Sequence, residues 1–214
     1  MVEIDNGEWG MTRHSVVSIR RAGVLFYLSL TFLLADYGNA LARTQSLREA
    51  IAGVVSAYTS RDSVSLNRFV HPKHGVIVIY REGVFDVFAT DTKIDFDKPV
   101  PEYFAYPVIK SRAPLRYARL PVYNCEHNAW SKTGLFCDLK HRDTLLSDTA
   151  INLRQYREEK IPPETIARFR SLEAQSIRVV LVDSDGRDLV FYLTKVGNRW
   201  YLTILDRVSS DCSA

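Results

Sequence analysis

The C-terminal part of the chain contains three β-rich runs separated by two sequences typical of tight turns. These runs and turns are, in order, residues 177–183, Asp185-Gly186, residues 189–196, Gly197-Asn198 and residues 199–206. Asp-Gly and Gly-Asn pairs accept the positive φ angles of two-residue hairpin turns. The pattern therefore predicts an antiparallel three-stranded meander.

The meander is predicted to be apolar on one face. Apolar residues alternate along its second and third strands: Leu189, Phe191 and Leu193, then Trp200, Leu202 and Ile204. Side chains two residues apart in a strand point to the same face of the sheet. We expect an N-terminal helix to cover this face, which gives an α+β fold with a curved antiparallel sheet and helices on one side.

The predicted covering helix lies near the start of this fold. Ser46 and Glu49 fit a capping box, and the apolar residues that follow recur at helical spacing. A second, short helix is predicted to begin near Asp62 and to end before Pro72. Residues 76–80 are nearly all β-branched and apolar, so they predict a strand that is covered on both faces.

The middle of the chain gives a mixed pattern. Residues 91–114 contain four prolines and predict an irregular segment. Residues 115–124 and 130–139 predict two strands joined as a hairpin. Residues 143–159 and 163–174 predict two helices, so an extra helical stretch is expected at about residues 143–174.

The N-terminal residues have the pattern of an export signal. Two adjacent arginines precede an uncharged apolar run, residues 22–35, which is shorter than the roughly 20 residues that span a bilayer. Ala40-Leu41-Ala42 is the small-x-small pattern of a signal peptidase site. We expect residues 1–42 to be a signal peptide cleaved after Ala42, and residues 43–214 to form a single periplasmic or extracellular domain. An uncleaved anchor is the alternative.

All three cysteines follow this segment, so export would place them where disulfides persist. Cys125 and Cys137 flank the polar centre of the predicted hairpin, and we expect a disulfide between them, with Cys212 left over. Pairing of either with Cys212 is the alternative, because spacing does not fix connectivity. Cys125, His127, Cys137 and His141 also have the ligand types of a zinc site. A disulfide explains the cysteines more simply, so no metal and no cofactor are expected.

Neither the net charge nor the one acidic cluster in the sequence indicates a particular binding partner or metal. The net charge is +3 and is spread along the chain rather than gathered in a block, which is too little to argue for a nucleic-acid partner. Asp183, Asp185, Gly186 and Asp188 resemble part of a calcium loop, but the ligand count is too low. A plain hairpin turn is the expected structure there.

Three segments carry a resemblance to a known fold. They are Leu66-Asn67-Arg68-Phe69-Val70-His71, Tyr80-Arg81-Glu82-Gly83-Val84-Phe85-Asp86 and Trp200-Tyr201-Leu202-Thr203-Ile204-Leu205-Asp206-Arg207. With the N-terminal helix and the meander, they resemble the cystatin-like or nuclear-transport-factor-2-like cone fold, in particular uncharacterised exported proteins of gut Bacteroidetes. The resemblance implies a pocket between sheet and helices, which different members use for catalysis, small-ligand binding or protein association.

Five side chains are candidates for chemistry in such a pocket. Tyr80, Asp86, Tyr192 and Asp206 would supply a buried acid and hydroxyl donors if their strands point them inward, and His71, near His74, would supply a general base. The structural alternatives are that the tyrosines are core aromatics and that Asp86 caps a helix or pairs with Arg81.

No nucleophile elbow, phosphate-binding glycine loop or His-Glu-x-x-His helix occurs in the sequence. We therefore expect an exported, non-enzymatic domain that binds a small ligand or a protein partner. One alternative is a small pocket hydrolase or isomerase with an Asp or His general base. The other is a structural partner of cell-envelope proteins, which would show an exposed apolar patch.

Overall fold

Four helices and nine strands occur in the part of the chain that the computed structural model describes, residues 44–213. In chain order they are α1 (Leu47–Thr59), α2 (Ser63–Asn67), β1 (Val76–Glu82), β2 (Phe85–Asp91), β3 (Leu115–Tyr117), β4 (Tyr123–Asn124), β5 (Ala129–Trp130), β6 (Gly134–Cys137), α3 (Leu145–Tyr156), α4 (Pro163–Gln175), β7 (Ser176–Val182), β8 (Asp188–Val196) and β9 (Arg199–Asp206). The predicted signal segment, residues 1–42, lies outside the described residues. Within them, no helix combines the length and hydropathy needed to cross a membrane.

Seven of the strands form one sheet in the order β2-β1-β9-β8-β7-β6-β3. Strands β7, β8 and β9 are the predicted antiparallel meander, and its first turn is the expected Asp185-Gly186 hairpin. Strand β1 pairs in parallel with β9, and β3 pairs in parallel with β6. The α+β class is therefore confirmed, but the sheet is mixed rather than wholly antiparallel.

Helices cover both faces of this sheet. On one face α1 packs over a core that includes Val78, Phe191 and Leu202. On the other face α3 and α4 pack over a second core that includes Ile79 and Tyr192. The predicted two-sided burial of β1 is confirmed, whereas the expectation of helices on one side is wrong. Neighbouring residues of β1 enter opposite cores, so each face needs its own cover.

An irregularity between β8 and β9 changes which side chains share a face. Tyr192 is paired with Ile204, but the next residue, Leu193, is paired with Leu202, so Thr203 is an extra residue in β9. An extra residue reverses the alternation beyond it. Leu202 therefore lies in the core beneath α1 and Ile204 in the core beneath α3 and α4, which corrects the prediction that they share a face.

The predicted hairpin of residues 115–124 and 130–139 is only partly present. Strands β4 and β5 form a short antiparallel pair, but β3 and β6 run in parallel. The chain between β3 and β6 crosses the sheet, where Leu120 and Trp130 pack on a small core of valines from β7 and β8. It then returns to begin β6 beside the beginning of β3, which makes the two strands parallel.

The disulfide joins Cys125 to Cys212, with a Cα–Cα distance of 5.7 Å. The predicted Cys125–Cys137 pairing is therefore wrong. Cys137 is a free thiol in β6 and is fully buried in the core beneath α1, whereas Cys125 is exposed in the turn of the β4–β5 hairpin. The disulfide ties the C-terminal tail to that hairpin.

Candidate functional site

Tyr192 and Asp206 are brought together by a largely buried arginine, Arg178, whose side chain is 15% exposed, on the face of the sheet that α3 covers. Arg178 lies in β7 and pairs with Tyr192 of β8 across the sheet. Its guanidinium donates to Oδ2 of Asp206 at 2.8 Å and lies 2.9 Å from Oδ2 of Asp143. The Tyr192 hydroxyl donates to the same Asp143 oxygen at 2.6 Å. We call Arg178, Asp143, Tyr192 and Asp206 the arginine cluster.

The carboxylates of the arginine cluster are saturated by groups of the fold. Oδ1 of Asp206 accepts from the backbone N–H groups of Val208 and Ser209, and its Oδ2 accepts from the Ser209 hydroxyl as well as from Arg178. Burial alone would raise the pKa of Asp143, but Arg178, the Tyr192 hydroxyl and His141 outweigh it and hold that pKa below its usual value. The cluster therefore connects β7, β8, β9 and the start of α3 as an ion-pair network.

Two of the other predicted residues lie apart from this cluster. Asp86 forms an ion pair with Arg81 at 2.8 Å, and Arg81 also donates to the Asp211 and Ser213 carbonyls of the C-terminal tail. Tyr80 is half-buried against the core beneath α1, and burial raises its pKa. Both arrangements match the structural alternatives considered for these residues.

His71 lies at a cleft between the sheet and α4, which we call the histidine cleft. Its volume is about 560 Å³, within the usual range for small-molecule sites. Strands β1, β2, β8 and β9 form one wall, α4 forms the other, and the loop of residues 71–75 borders it. It thus lies between the sheet and a helix.

Hydrogen bonds within its own loop determine which nitrogen of the neutral His71 ring carries the proton. The backbone N–H groups of Lys73 and His74 donate to its Nδ1 at 3.1 and 3.3 Å. The neutral ring therefore carries its proton on Nε2. Burial, together with the neighbouring His74 and Lys73 charges, lowers the pKa of His71. At neutral pH the imidazole is an N–H donor rather than a cation.

The lining of the histidine cleft is cationic and partly apolar. It contains Lys73 and Arg168 besides the two histidines, and no Asp or Glu among the described residues lines it. Apolar side chains of β1 and α4, including Ile77 and Phe169, form part of its surface.

A row of buried hydroxyls lies along the sheet wall of this cleft. Ser176 donates to the Leu172 carbonyl at 2.7 Å and lies 2.7 Å from Thr194, which lies 2.6 Å from Thr203. Because the Ser176 hydroxyl donates to a carbonyl, Thr194 donates to Ser176, and Thr203 in turn donates to Thr194. The wall hydroxyls therefore offer acceptor lone pairs, and the cations remain the donors for a ligand.

A second cleft, of about 470 Å³, lies beside the arginine cluster. We call it the arginine cleft; its lining includes Arg119, Tyr123, Trp130, His141, Arg178 and Ser209. The rings of Tyr123 and Trp130 pack edge to face at 5.3 Å, and Nε2 of His141 is 3.5 Å from Oδ2 of Asp143. A histidine and a carboxylate are thus close together at this cleft.

The cysteine and histidine set considered for zinc is not assembled. Cys125 is in the disulfide and Cys137 is buried in β6. Across residues 44–213, no group of three or more His, Cys, Asp and Glu side chains is arranged to hold a metal ion. The Asp183 carboxylate accepts from the backbone N–H groups of Asp185 and Arg187, as expected for a hairpin turn.

Sequence reasoning missed Arg178, Asp143 and Arg168. Arg178 carried a usable signal, because it is a charged residue inside a strand whose other residues are mostly apolar, and a buried charge requires a partner. Asp206, at the end of another apolar strand, was its natural counterpart. Asp143 and Arg168 lack such a signal, since their roles depend on where α3 and α4 dock.

Three comparisons with known proteins add no relative. No family model matches the chain, no curated protein matches its sequence, and no solved structure matches its fold.

Proposed function

We propose that this chain is an exported, non-enzymatic ligand-binding domain of cone-fold type, and that the histidine cleft binds a small anionic ligand with an apolar part. The observation that carries the proposal is the composition of the cleft: cations and imidazoles line it without a described carboxylate, beside an apolar surface. A pocket of mainly apolar character with a few placed polar groups is typical of small-molecule sites.

The cations explain the preference for an anion. Neither Lys73 nor Arg168 forms an ion pair with a carboxylate in residues 44–213. Two uncompensated cations in a concave site attract negative charge, and Arg168 presents a planar guanidinium that suits carboxylate, sulfonate or phosphate groups. The His71 Nε2–H adds a donor.

The apolar wall of the cleft is the reason to expect that the ligand has an apolar part. Phe169 packs edge to face with Phe88 at 5.0 Å, so its ring is held in place, and Ile77 and Leu172 flank it. Burial of apolar ligand surface contributes about 25 cal/mol per Å² before the cost of ordering. A chain of several methylene groups, or one aromatic ring, with a terminal anion fits this site.

Competition between charged and neutral probes tests the proposal. The probe is 8-anilinonaphthalene-1-sulfonate, whose fluorescence rises on binding, displaced by octanoate or by octan-1-ol. We expect octanoate to displace it and octan-1-ol to be at least about tenfold weaker, because an ion pair of this kind is worth about 1–3 kcal/mol. Equal competition by both would contradict an anion site.

A matched pair of variants locates the binding. Arg168→Gln removes the charge that lines the cleft, whereas Arg170→Gln removes an exposed charge two residues along α4 that does not line it. We expect a loss of about tenfold in octanoate affinity for the first and little change for the second. Equal affinities in the two variants would place binding elsewhere.

A pocket hydrolase is the second candidate, because His141 and Asp143 approach each other at the arginine cleft. Asp143 would orient the imidazole as a general base for water. Arg178 and Tyr192 already contact the same oxygen, Oδ2 of Asp143, so this role is less well supported. Hydrolysis of p-nitrophenyl acetate that is lost in His141→Asn but kept in His127→Asn would favour the hydrolase; equal rates in both variants would discard it.

A further inference from the structure

Positive charge is gathered in one segment of the chain, which includes β3, a strand at the edge of the sheet. Residues 110–142 contain seven Lys and Arg but only two Asp and Glu, whereas the whole chain has a net charge of +3. The seven are Lys110, Arg112, Arg116, Arg119, Lys132, Lys140 and Arg142. The prediction that charge is spread along the chain is therefore wrong for this segment.

Five cations lie in two groups at and beside β3, and we call them the basic edge: Arg116, Arg119 and Lys132 in one group, and Arg48 and Arg112 in the other. Arg116 and Lys132 both lie over the Phe136 ring, at 5.8 and 4.5 Å from its centroid. The Lys132 ammonium donates to the Arg119 carbonyl. Arg48 lies over the Tyr117 ring at 5.3 Å and lines one cavity together with Arg112.

The charge of the basic edge is not neutralised within the described residues. None of its five members forms an ion pair with a carboxylate in residues 44–213. Four of the five are exposed, and Lys132 is half-buried. Several like charges without a carboxylate partner create a positive potential that attracts an anionic partner.

Exposed apolar side chains lie among these cations. Val122 is 70% exposed and Tyr117 is 46% exposed. Val122 accepts a backbone hydrogen bond from Ser131, the neighbour of Lys132, and Tyr117 lies under Arg48. Leu139, 49% exposed, follows β6, the strand next to β3. Apolar side chains surrounded by Lys and Arg are typical of surfaces that bind anionic bilayers, where the chains enter the headgroup region.

We propose that the basic edge binds the surface of an anionic phospholipid bilayer. The lipid headgroups compensate the five cations, and Tyr117, Val122 and Leu139 contact the upper acyl region. An acidic polymer would use the charges alone, so the apolar side chains favour lipid over such a partner. The basic edge lies at β3, the opposite end of the sheet from β2, which contributes to the histidine cleft.

Vesicle co-sedimentation tests this surface, with protein recovered from an export-competent host that expresses the full chain. Vesicles of equimolar phosphatidylglycerol and phosphatidylcholine are compared with vesicles of phosphatidylcholine alone. Each surface Lys or Arg strengthens binding to an anionic membrane roughly fivefold. We expect binding to the anionic vesicles only, decreasing with salt, and a loss of about 100-fold in Arg116→Glu/Arg119→Glu/Lys132→Glu.

The matched control reverses three exposed cations elsewhere: Arg154→Glu/Lys160→Glu/Arg170→Glu. It has the same charge change and the same N-terminal residues, so effects of net charge and of the N-terminal segment cancel. Circular dichroism and the thermal midpoint establish that both variants fold. Equal loss in both variants, or no binding to anionic vesicles at low salt, would overturn the proposal.

A third variant separates lipid from acidic polymer. Val122→Ser/Leu139→Ser keeps every charge and is expected to weaken vesicle binding several-fold while binding to heparin is unchanged. If the basic-edge variant loses heparin binding while the serine variant binds vesicles as tightly as the unsubstituted protein, the surface is a site for acidic polymers and the lipid proposal fails.

Discussion

The Glu173 carboxylate, near the end of α4, accepts a 2.6 Å hydrogen bond from the backbone N–H of Leu146 at the beginning of α3. It also accepts from the backbone N–H of Ser147. Thr144, at the N-cap position of α3, makes no capping bond with its own side chain. A buried acid of one helix therefore supplies the cap of the other, which connects the two helices.

Two substitutions of Glu173 distinguish its role as a hydrogen-bond acceptor for α3 from the effect of its buried charge. Glu173→Ala leaves buried N–H groups without an acceptor and is expected to lower the free energy of unfolding by about 2 kcal/mol. Glu173→Gln keeps an oxygen acceptor and removes the buried charge. Urea denaturation of both variants at neutral pH checks this, and an equal loss in the two would show that the charge itself is required.

The pH dependence of the same pair has a defined sign. Burial raises the pKa of Glu173 in the folded protein, so its contribution to stability is present below the pKa of the unfolded chain and is lost as pH rises through the folded pKa. We expect the stability of Glu173→Gln relative to the unsubstituted protein to increase from acidic to neutral pH. A difference that is constant with pH would contradict the assignment.

Removal of Arg178 tests whether the arginine cluster holds the sheet together. Arg178→Met leaves Asp206, whose side chain is fully buried, without its cation, which is expected to cost about 3–5 kcal/mol. Arg157→Met breaks exposed ion pairs with Glu82 and Glu159 and should cost about 1 kcal/mol or less. Similar midpoints in urea for the two variants would mean that the cluster is not structural.

Acidification should reduce the difference in the free energy of unfolding between Arg178→Met and the unsubstituted protein. Arg178 contributes to the lowered pKa of Asp143, and a lowered pKa stabilises the fold above the unfolded pKa and loses that effect as pH falls through the folded pKa. Because the variant lacks this contribution, it has less stability to lose on acidification.

Local patterns predicted the fold wherever neighbouring residues decide the structure. The capping box at Ser46 and Glu49 and the turn at Asp185-Gly186 are formed by residues a few positions apart, and both are present. The extra residue Thr203 could not be predicted, because nothing in an alternating strand marks which residue is left unpaired. Its effect, the separation of Leu202 from Ile204, decides which side chains face α4.

The candidate site depended on contacts that spacing does not encode. The sequence indicates His71 as a possible site residue, but Arg168 joins it only because α4 docks on this face of the sheet, where Phe169 packs against Phe88 of β2. The disulfide shows the same limit: Cys125 and Cys137 are close in sequence, yet one lies in an exposed turn and the other in the core. Cys212, which is 87 residues from Cys125 in sequence, is the actual partner.

The three cysteines should differ experimentally, because two form the disulfide and the third is a buried thiol. Cys125→Ala and Cys212→Ala open the same loop and should destabilise equally, by up to about 5 kcal/mol in the chain-entropy model. Burial raises the pKa of the Cys137 thiol to about 11, so Cys137 should not react with Ellman's reagent until the protein unfolds. Rapid labelling of the native protein would contradict its position in β6.

Gly75, at the end of the loop of residues 71–75 that borders the histidine cleft, occupies a position that only glycine fits. Its φ is +68°, and a Cβ there would lie 2.2 Å from the Asp91 carbonyl oxygen. Gly186 also has a positive φ, of +80°, but a Cβ there would meet open space. Gly186→Ala should cost about 1 kcal/mol, and Gly75→Ala clearly more, because β1 or β2 must shift. Thermal unfolding of the two variants measures the difference.

Ligand binding in the histidine cleft should strengthen as pH falls. The pKa of His71 is lowered in the free protein, so His71 is neutral at pH 7 and becomes a cation only in more acidic solution. An anionic ligand binds the charged imidazole more tightly, and by linkage the ligand raises the pKa of that imidazole.

The sulfonate probe keeps its charge throughout, so any gain in affinity between neutral pH and about pH 5 comes from the protein. His71→Asn keeps a polar side chain but does not titrate, and its affinity should change less with pH than that of the unsubstituted protein. If the two pH profiles coincide while Arg168→Gln still weakens binding, the anion lies against Arg168 and away from the imidazole.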